Sequence, residues 1–177
     1  DCPVYDIPWE IRDALIQNKE GETVFEQKGV EFPAFWSQQA TNVVSDKYFR
    51  TVDGQRESSV KEMINRVVYK IEEWGIRDGY FPDVDMAATF RAELQYLLLH
   101  QYGCFNSPVW FNVGVENHPQ ASACFLVTVD DNMQSILEWY RQEGTIFSQG
   151  SGSGVNVSKI RSKREGMSKG GKPSGPL

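Results

Sequence analysis

One cysteine, one serine, one carboxylate and a basic run supply most of the chemistry this chain can offer. Cys124 stands near the head of the run Ala123-Cys124-Phe125-Leu126-Val127-Thr128-Val129. It reads either as a small core hydrophobe or as a redox thiol at a strand end beside a pocket. A thiol reacts as thiolate, and no Lys, Arg or His adjoins Cys124 in sequence to favour that form. Cys104, just past a helix stop at Gly103, reads as structural, and Cys2 as a terminal accident. Ser107, before Pro108, is a turn hydroxyl or, in a pocket, a phosphate ligand. Asp131 is a helix N-cap, with Gln134 three residues on, or a carboxylate accepting hydrogen bonds from sugar hydroxyls. Lys159 and Arg161, with Lys163, Arg164 and Lys169 beyond, form a solvated basic loop or a polyphosphate seat.

Other residues of catalytic type point elsewhere. His100 falls at a helix end, and His118 precedes Pro119 in a loop. Neither has a Cys, His or Glu at ligand spacing, so no metal site is expected. The run Gly150-Ser151-Gly152-Ser153-Gly154 lacks the Gly-Lys-Ser/Thr ending of a Walker loop. It also follows a helix and precedes a strand, the reverse of a dinucleotide fingerprint. It is read as a flexible turn with positive φ, or as a close backbone approach to a ligand.

The elements that must position these residues follow from periodicity. Pro3, Pro8 and Pro33 punctuate residues 1–57, where Phe25, Phe32, Phe35, Trp36, Tyr48 and Phe49 suggest short helices and loops anchored by aromatic packing. Residues 9–16 are expected to form one short helix. Val60, Met63, Ile64, Val67, Val68, Ile71 and Trp74 make one helical stripe, with Ser59 and Glu62 as a capping box and Gly75 as the stop. A second helix is expected over roughly 86–101, capped by Asp85 and ended by Gly103, with Gly79 to Pro82 as linker. Residues 109–113 read as a short strand, and residues 123–129 as a strand covered on both faces. A helix opening at Asp130-Asp131-Asn132 and stopped by Gly144 follows, then a strand over 155–158. That order is a βαβ unit, which cannot bury its own sheet, so an open edge and a fragment are expected.

Composition bounds the rest. The 177 residues are 40% hydrophobic, enough for one ordinary core or slightly more. Mean hydropathy is −0.45, and no apolar run approaches the ~18 residues of a membrane span. No secretory signal is visible, and a chain opening Asp1-Cys2 reads as processed or cut. Three widely spaced cysteines suit a reducing compartment, so a cytoplasmic location is expected. The net charge of −6 divides unevenly: residues 150–177 carry +5 and seven glycines, the first 149 residues −11. A basic segment on an acidic body suits a local anionic partner, not a general nucleic-acid surface or a membrane.

Taken in order, five segments resemble the ribonucleotide reductase large subunit. They are Asn106-Ser107-Pro108-Val109-Trp110-Phe111-Asn112, Ser122-Ala123-Cys124-Phe125, residues 129–136, Gly150-Ser151-Gly152-Ser153-Gly154-Val155-Asn156 and Lys159-Ile160-Arg161. The version resembled is class II, which depends on adenosylcobalamin. Phe32-Pro33, Trp36-Ser37-Gln38, Lys47-Tyr48-Phe49-Arg50 and Gly79-Tyr80-Phe81 are similar to that subfamily's N-terminal region.

The resemblance implies a mixed α/β chain: a mainly helical region over 1–103, then over 104–177 the first strands of a truncated ten-stranded α/β barrel. It implies a ribonucleoside-diphosphate reductase, although the residues themselves do not fix the phosphate count. Cys124 matches the first cysteine of the pair that reduces the ribose and becomes a disulfide. Ser107, Ser122 and Ala123 match positions lining the ribonucleotide substrate. Asp131, Arg161 and Lys159 match a deoxynucleoside triphosphate effector site, and residues 162–171 a specificity loop. A thioredoxin-like reductant and a homodimer are the implied partners. The radical cysteine, the second redox cysteine and the shuttle thiols belong to family segments after residue 177, so no turnover is expected of the isolated chain. The class I reductase, a nucleotide-binding module without catalysis and a helical scaffold with a disordered tail are the rival readings.

Overall fold

Alternation, not helical spacing, governs the first element. In the computed structural model, which describes residues 6–166 and 170–176, Trp9–Gln17 is strand β1 and Thr23–Pro33 is strand β2. They pair antiparallel from Trp9↔Pro33 to Gln17↔Thr23. The helix expected over 9–16 is therefore a strand. Arg12, Ala14 and Ile16 face inward while Ile11 and Leu15 face out. An arginine on the inner face hides the period-two signal. Its guanidinium is satisfied there by Trp36 O, Ala34 O and Thr41 Oγ1 at 2.6–3.1 Å. Asn18 closes the turn, its side-chain oxygen accepting from the Glu20 and Glu22 amides.

The chain divides into two compact units, residues 1–121 and 122–177. The first adds α1 (Gln38–Lys47), the two-residue strands β3 (Thr51–Val52) and β4 (Gln55–Arg56), α2 (Val60–Arg77), α3 (Val84–Leu99) and α4 (Ser107–Asn112). Its core joins Val30 and Phe32 of β2, Phe49, the inner face of α2, Leu98 and Leu99 of α3, and Val109 and Trp110 of α4. The Trp36 indole donates to Leu99 O at 3.0 Å, tying the hairpin's exit to the end of α3.

Helix α2 begins as its capping box predicts: Ser59 Oγ accepts from the Lys61 amide, and Glu62 accepts from the Ser59 amide. It does not stop at Gly75. That glycine is buried in the last turn, where a Cβ would collide with the Phe81 ring. Helix α3 is capped by Asp83, not Asp85, and ends at His100 before Gly103. Residues 109–113, expected as a strand, lie mostly in α4. Asn106 accepts from the Val109 amide and Pro108 sits in the first turn, so β-branched and aromatic residues are carried inward on helical spacing.

The second unit is β5 (Cys124–Thr128), α5 (Met133–Ser148) and β6 (Gly152–Asn156). β5 and β6 pair parallel, Cys124↔Gly152 through Thr128↔Asn156, completing the expected βαβ order. Asn132, not Asp131, caps α5 by accepting from the Ser135 amide. The helix runs through Gly144 and ends before Gly150, whose φ is +75°. Gly152 and Gly154 lie inside β6, so the glycine run is mostly strand rather than a flexible turn. β5 is not covered on both faces: Val127 is buried but Leu126 is 94% exposed. Among the described residues β5 pairs with β6 alone. No described helix is long and apolar enough to cross a membrane. Cys2, Pro3 and Lys169 lie outside the described residues.

Candidate functional site

Parallel pairing sends the loops after β5 and β6 to the same edge, where ligand sites in α/β sheets gather. Asp130 and Asp131 follow β5; Lys159 and Arg161 follow β6. Lys159 Nζ lies 2.8 Å from Asp130 Oδ1, and Arg161 Nε 2.5 Å from Asp131 Oδ2. Arg161 Nη2 also reaches Asp131 O at 3.4 Å. The Lys159–Asp130 pair is mostly exposed and the Arg161–Asp131 pair half-buried. Helix α5 starts beside them, and the Asp130 amide donates to Ser135 Oγ at 2.9 Å. Two cations, two carboxylates and a helix start can take phosphate on the cations and sugar hydroxyls on the carboxylates. Asp130 is not among the site residues expected from the sequence. Its signal was adjacency to Asp131, and its partner Lys159 is 29 residues away.

Ser122, Ala123 and Cys124 occupy the opposite end of β5. Ser151 Oγ donates to Ser122 O at 2.6 Å, and the Gly152 amide to Ala123 O at 2.7 Å. The Cys124 thiol is free and exposed, and its ladder partner Gly152 has no side chain to cover it. Four strand steps separate Cys124 from Thr128, roughly 13 Å at the usual rise. The thiol and the ion-pair cluster therefore mark two ends of one short strand. Ser151, buried at 7% exposure, holds the starts of both strands together and carried no sequence signal beyond its glycine neighbours. Ser153 donates to Glu143, linking β6 to α5. Within α5, hydrogen bonds from Arg141 and Gln142 hold the Glu138 carboxyl down at about 2.

Ser107 belongs to the first unit. It opens α4, and its hydroxyl lies 3.1 Å from the Tyr48 hydroxyl. The Tyr48 ring stacks on Phe111 at 5.5 Å, and the Arg50 guanidinium lies 4.4 Å from the Phe111 ring centre. Tyr48 also lines an apolar cavity of about 290 Å³ with Trp36, Met63, Leu98, Cys104 and Trp110. A wider groove of about 480 Å³ contains the Arg66–Glu57 ion pair at 2.7 Å, both side chains 6% exposed. Among the described residues no group of three or more His, Cys, Asp or Glu side chains is placed to hold a metal ion.

Comparison with known proteins matches both units. Residues 10–101 match the family described as class II vitamin B12-dependent ribonucleotide reductase, and residues 122–177 match the ribonucleotide reductase barrel domain. The vitamin B12-dependent ribonucleotide reductase of Streptomyces coelicolor is 51% identical over 99% of this chain, that of Streptomyces clavuligerus 50% over 99%, and that of Rhodopirellula baltica 43% over 99%. The matched region is 18%, 18% and 20% of those relatives, so the chain spans about a fifth of their length.

Proposed function

Because the chain belongs to the class II vitamin B12-dependent ribonucleotide reductase family, we propose that it supplies one reducing thiol and one effector site to a full-length enzyme making deoxyribonucleotides. Cys124 is the reductant. Ribose reduction replaces the 2′ hydroxyl by hydrogen and releases water. Two thiols provide the two electrons and two hydrogens and leave as a disulfide. Cys124 gives one share and a cysteine outside this chain the other. A thioredoxin-like dithiol then restores the pair, in a reducing cytoplasmic setting.

Ser107, Ser122 and Ala123 contact the ribonucleotide. The substrate is proposed as the ribonucleoside diphosphate, and parallel assays with the triphosphate measure that choice. Asp131 takes the sugar of a deoxynucleoside triphosphate effector, while Arg161 and Lys159 take its phosphates. A homodimer is the proposed assembly.

Adenosylcobalamin, the vitamin B12 cofactor of the family, would supply the radical chemistry when bound by the full-length protein.

The observation that carries the reading is the exposed Cys124 thiol opposite Gly152, at the start of a parallel strand in the barrel-matching unit. Cys124→Ser in the full-length protein tests it. Deoxynucleotide formation is expected to fall to background while triphosphate binding stays at the wild-type level. Retained turnover sinks the reductant role, and loss of both properties together points to misfolding rather than chemistry.

A further inference from the structure

We propose that Tyr48 is a positioning residue that aims the Ser107 hydroxyl at a substrate phosphate, an inference resting on the proposed contact between Ser107 and the ribonucleotide. Tyr48 ends α1 as its C-cap and grips α4 at two points. Its hydroxyl meets Ser107 Oγ at 3.1 Å, and its ring stacks on Phe111, one helical turn further along. Residues four apart share a helix face, so a single aromatic side chain sets both the rotation of α4 and the environment of its first hydroxyl. Arg50, two residues after Tyr48, holds the same Phe111 ring from 4.4 Å. The phenol is therefore anchored by its ring as well as by its hydroxyl.

The chemistry follows from proton count. A serine hydroxyl has one proton and two acceptor lone pairs, and it rotates to suit its neighbours. A phenol is the more acidic partner, so Tyr48 donates and Ser107 accepts. The serine proton is then directed away from Tyr48 and remains available to a phosphate oxygen. Donating outward while accepting from a phenol also polarises the serine hydroxyl and strengthens its bond to an anion. Without the phenol the serine proton is free to turn toward other acceptors.

Ribonucleotide binding, KM and kcat in the full-length protein test this with Tyr48→Phe, Ser107→Ala and the double variant. Tyr48→Phe keeps the ring stack and removes only the hydroxyl. It is expected to weaken ribonucleotide binding roughly three- to ten-fold, the size of one neutral hydrogen bond, with the change falling on KM more than on kcat. Ser107→Ala is expected to lose at least as much, and the double variant no more than Ser107→Ala. Ser107→Thr, which keeps an oxygen at the same place, is expected to bind like the wild type.

Weakened binding in Ser107→Ala with unchanged binding in Tyr48→Phe overturns the Tyr48 role and leaves the Ser107 contact standing. Unchanged binding in Ser107→Ala overturns both. An equal further loss from Tyr48→Phe in the Ser107→Ala background also overturns the proposal, because Tyr48 then acts through packing alone. A loss in Ser107→Thr as large as in Ser107→Ala removes the hydrogen-bond account.

Discussion

Arg161 and Asp131 satisfy each other: the guanidinium Nε lies 2.5 Å from the carboxylate Oδ2 across a sequence gap of 30 residues. Each was a separate ligand candidate in the sequence, and the parallel strand pair makes them partners. A triphosphate seated as proposed would meet a guanidinium already bonded to Asp131. If the phosphate took that guanidinium, the Asp131 carboxylate would be released as an acceptor for the proposed sugar hydroxyls.

In the full-length protein, Arg161→Ala is expected to weaken effector triphosphate binding by about ten- to a hundred-fold at low ionic strength, the range of a charge-assisted hydrogen bond. Titration calorimetry at two salt concentrations checks it. Added salt should cost the variant less than the wild type, because one cation no longer takes part. Affinity equal to wild type at both concentrations would remove Arg161 from the site. Lys159→Ala should lose less, since its side chain is 62% exposed.

The buried Arg66–Glu57 pair fixes the first unit more than any surface pair. Arg66 also donates to Val113 O at 2.7 Å, and Glu57 accepts from the Arg50 amide at 2.8 Å. Arg66→Met leaves a carboxylate in a site where both side chains are 6% exposed. A destabilisation of about 3–5 kcal/mol is expected, measured by urea unfolding. A loss under about 1 kcal/mol would show that water reaches Glu57 and replaces the arginine.

Glu31 gives stability a dependence on acid. Burial works to raise its carboxyl, but hydrogen bonds from Lys61 at 2.8 Å and Ser59 at 2.6 Å, with the Lys61 charge, outweigh it and hold the group below its ordinary 4.5. The folded state thus binds this proton less readily than the unfolded chain. Its stabilisation is complete above the ordinary value and drains away as pH falls through the lowered one. Urea midpoints followed from pH 6 downward, a range of about two to three units, should fall more steeply for wild type than for Glu31→Gln. Parallel curves would mean that Glu31 contributes nothing to the acid response.

Local signals in the chain were reliable where the interaction itself is local. Ser59 and Glu62 cap α2 because both groups lie within one helical turn of the amides they accept from. The same locality misled at Val109 and Trp110. Their side chains favour strands, but the Asn106 cap and the core beneath α4 decide for a helix. At Arg12 the inward position is polar, so only pairing with β2 and the carbonyls of Ala34 and Trp36 makes that strand recognisable.

By itself the sequence determined the start of α2, the strand–helix–strand order after residue 122, the division of charge and the family. All of these rest on neighbours a few residues apart or on residue order. Tertiary structure alone decided that Arg161 pairs with Asp131, that Tyr48 reaches Ser107 across 59 residues, and that Cys124 faces a glycine on an open strand. Those contacts depend on the path of the backbone between the partners, and residue type places no atom along that path.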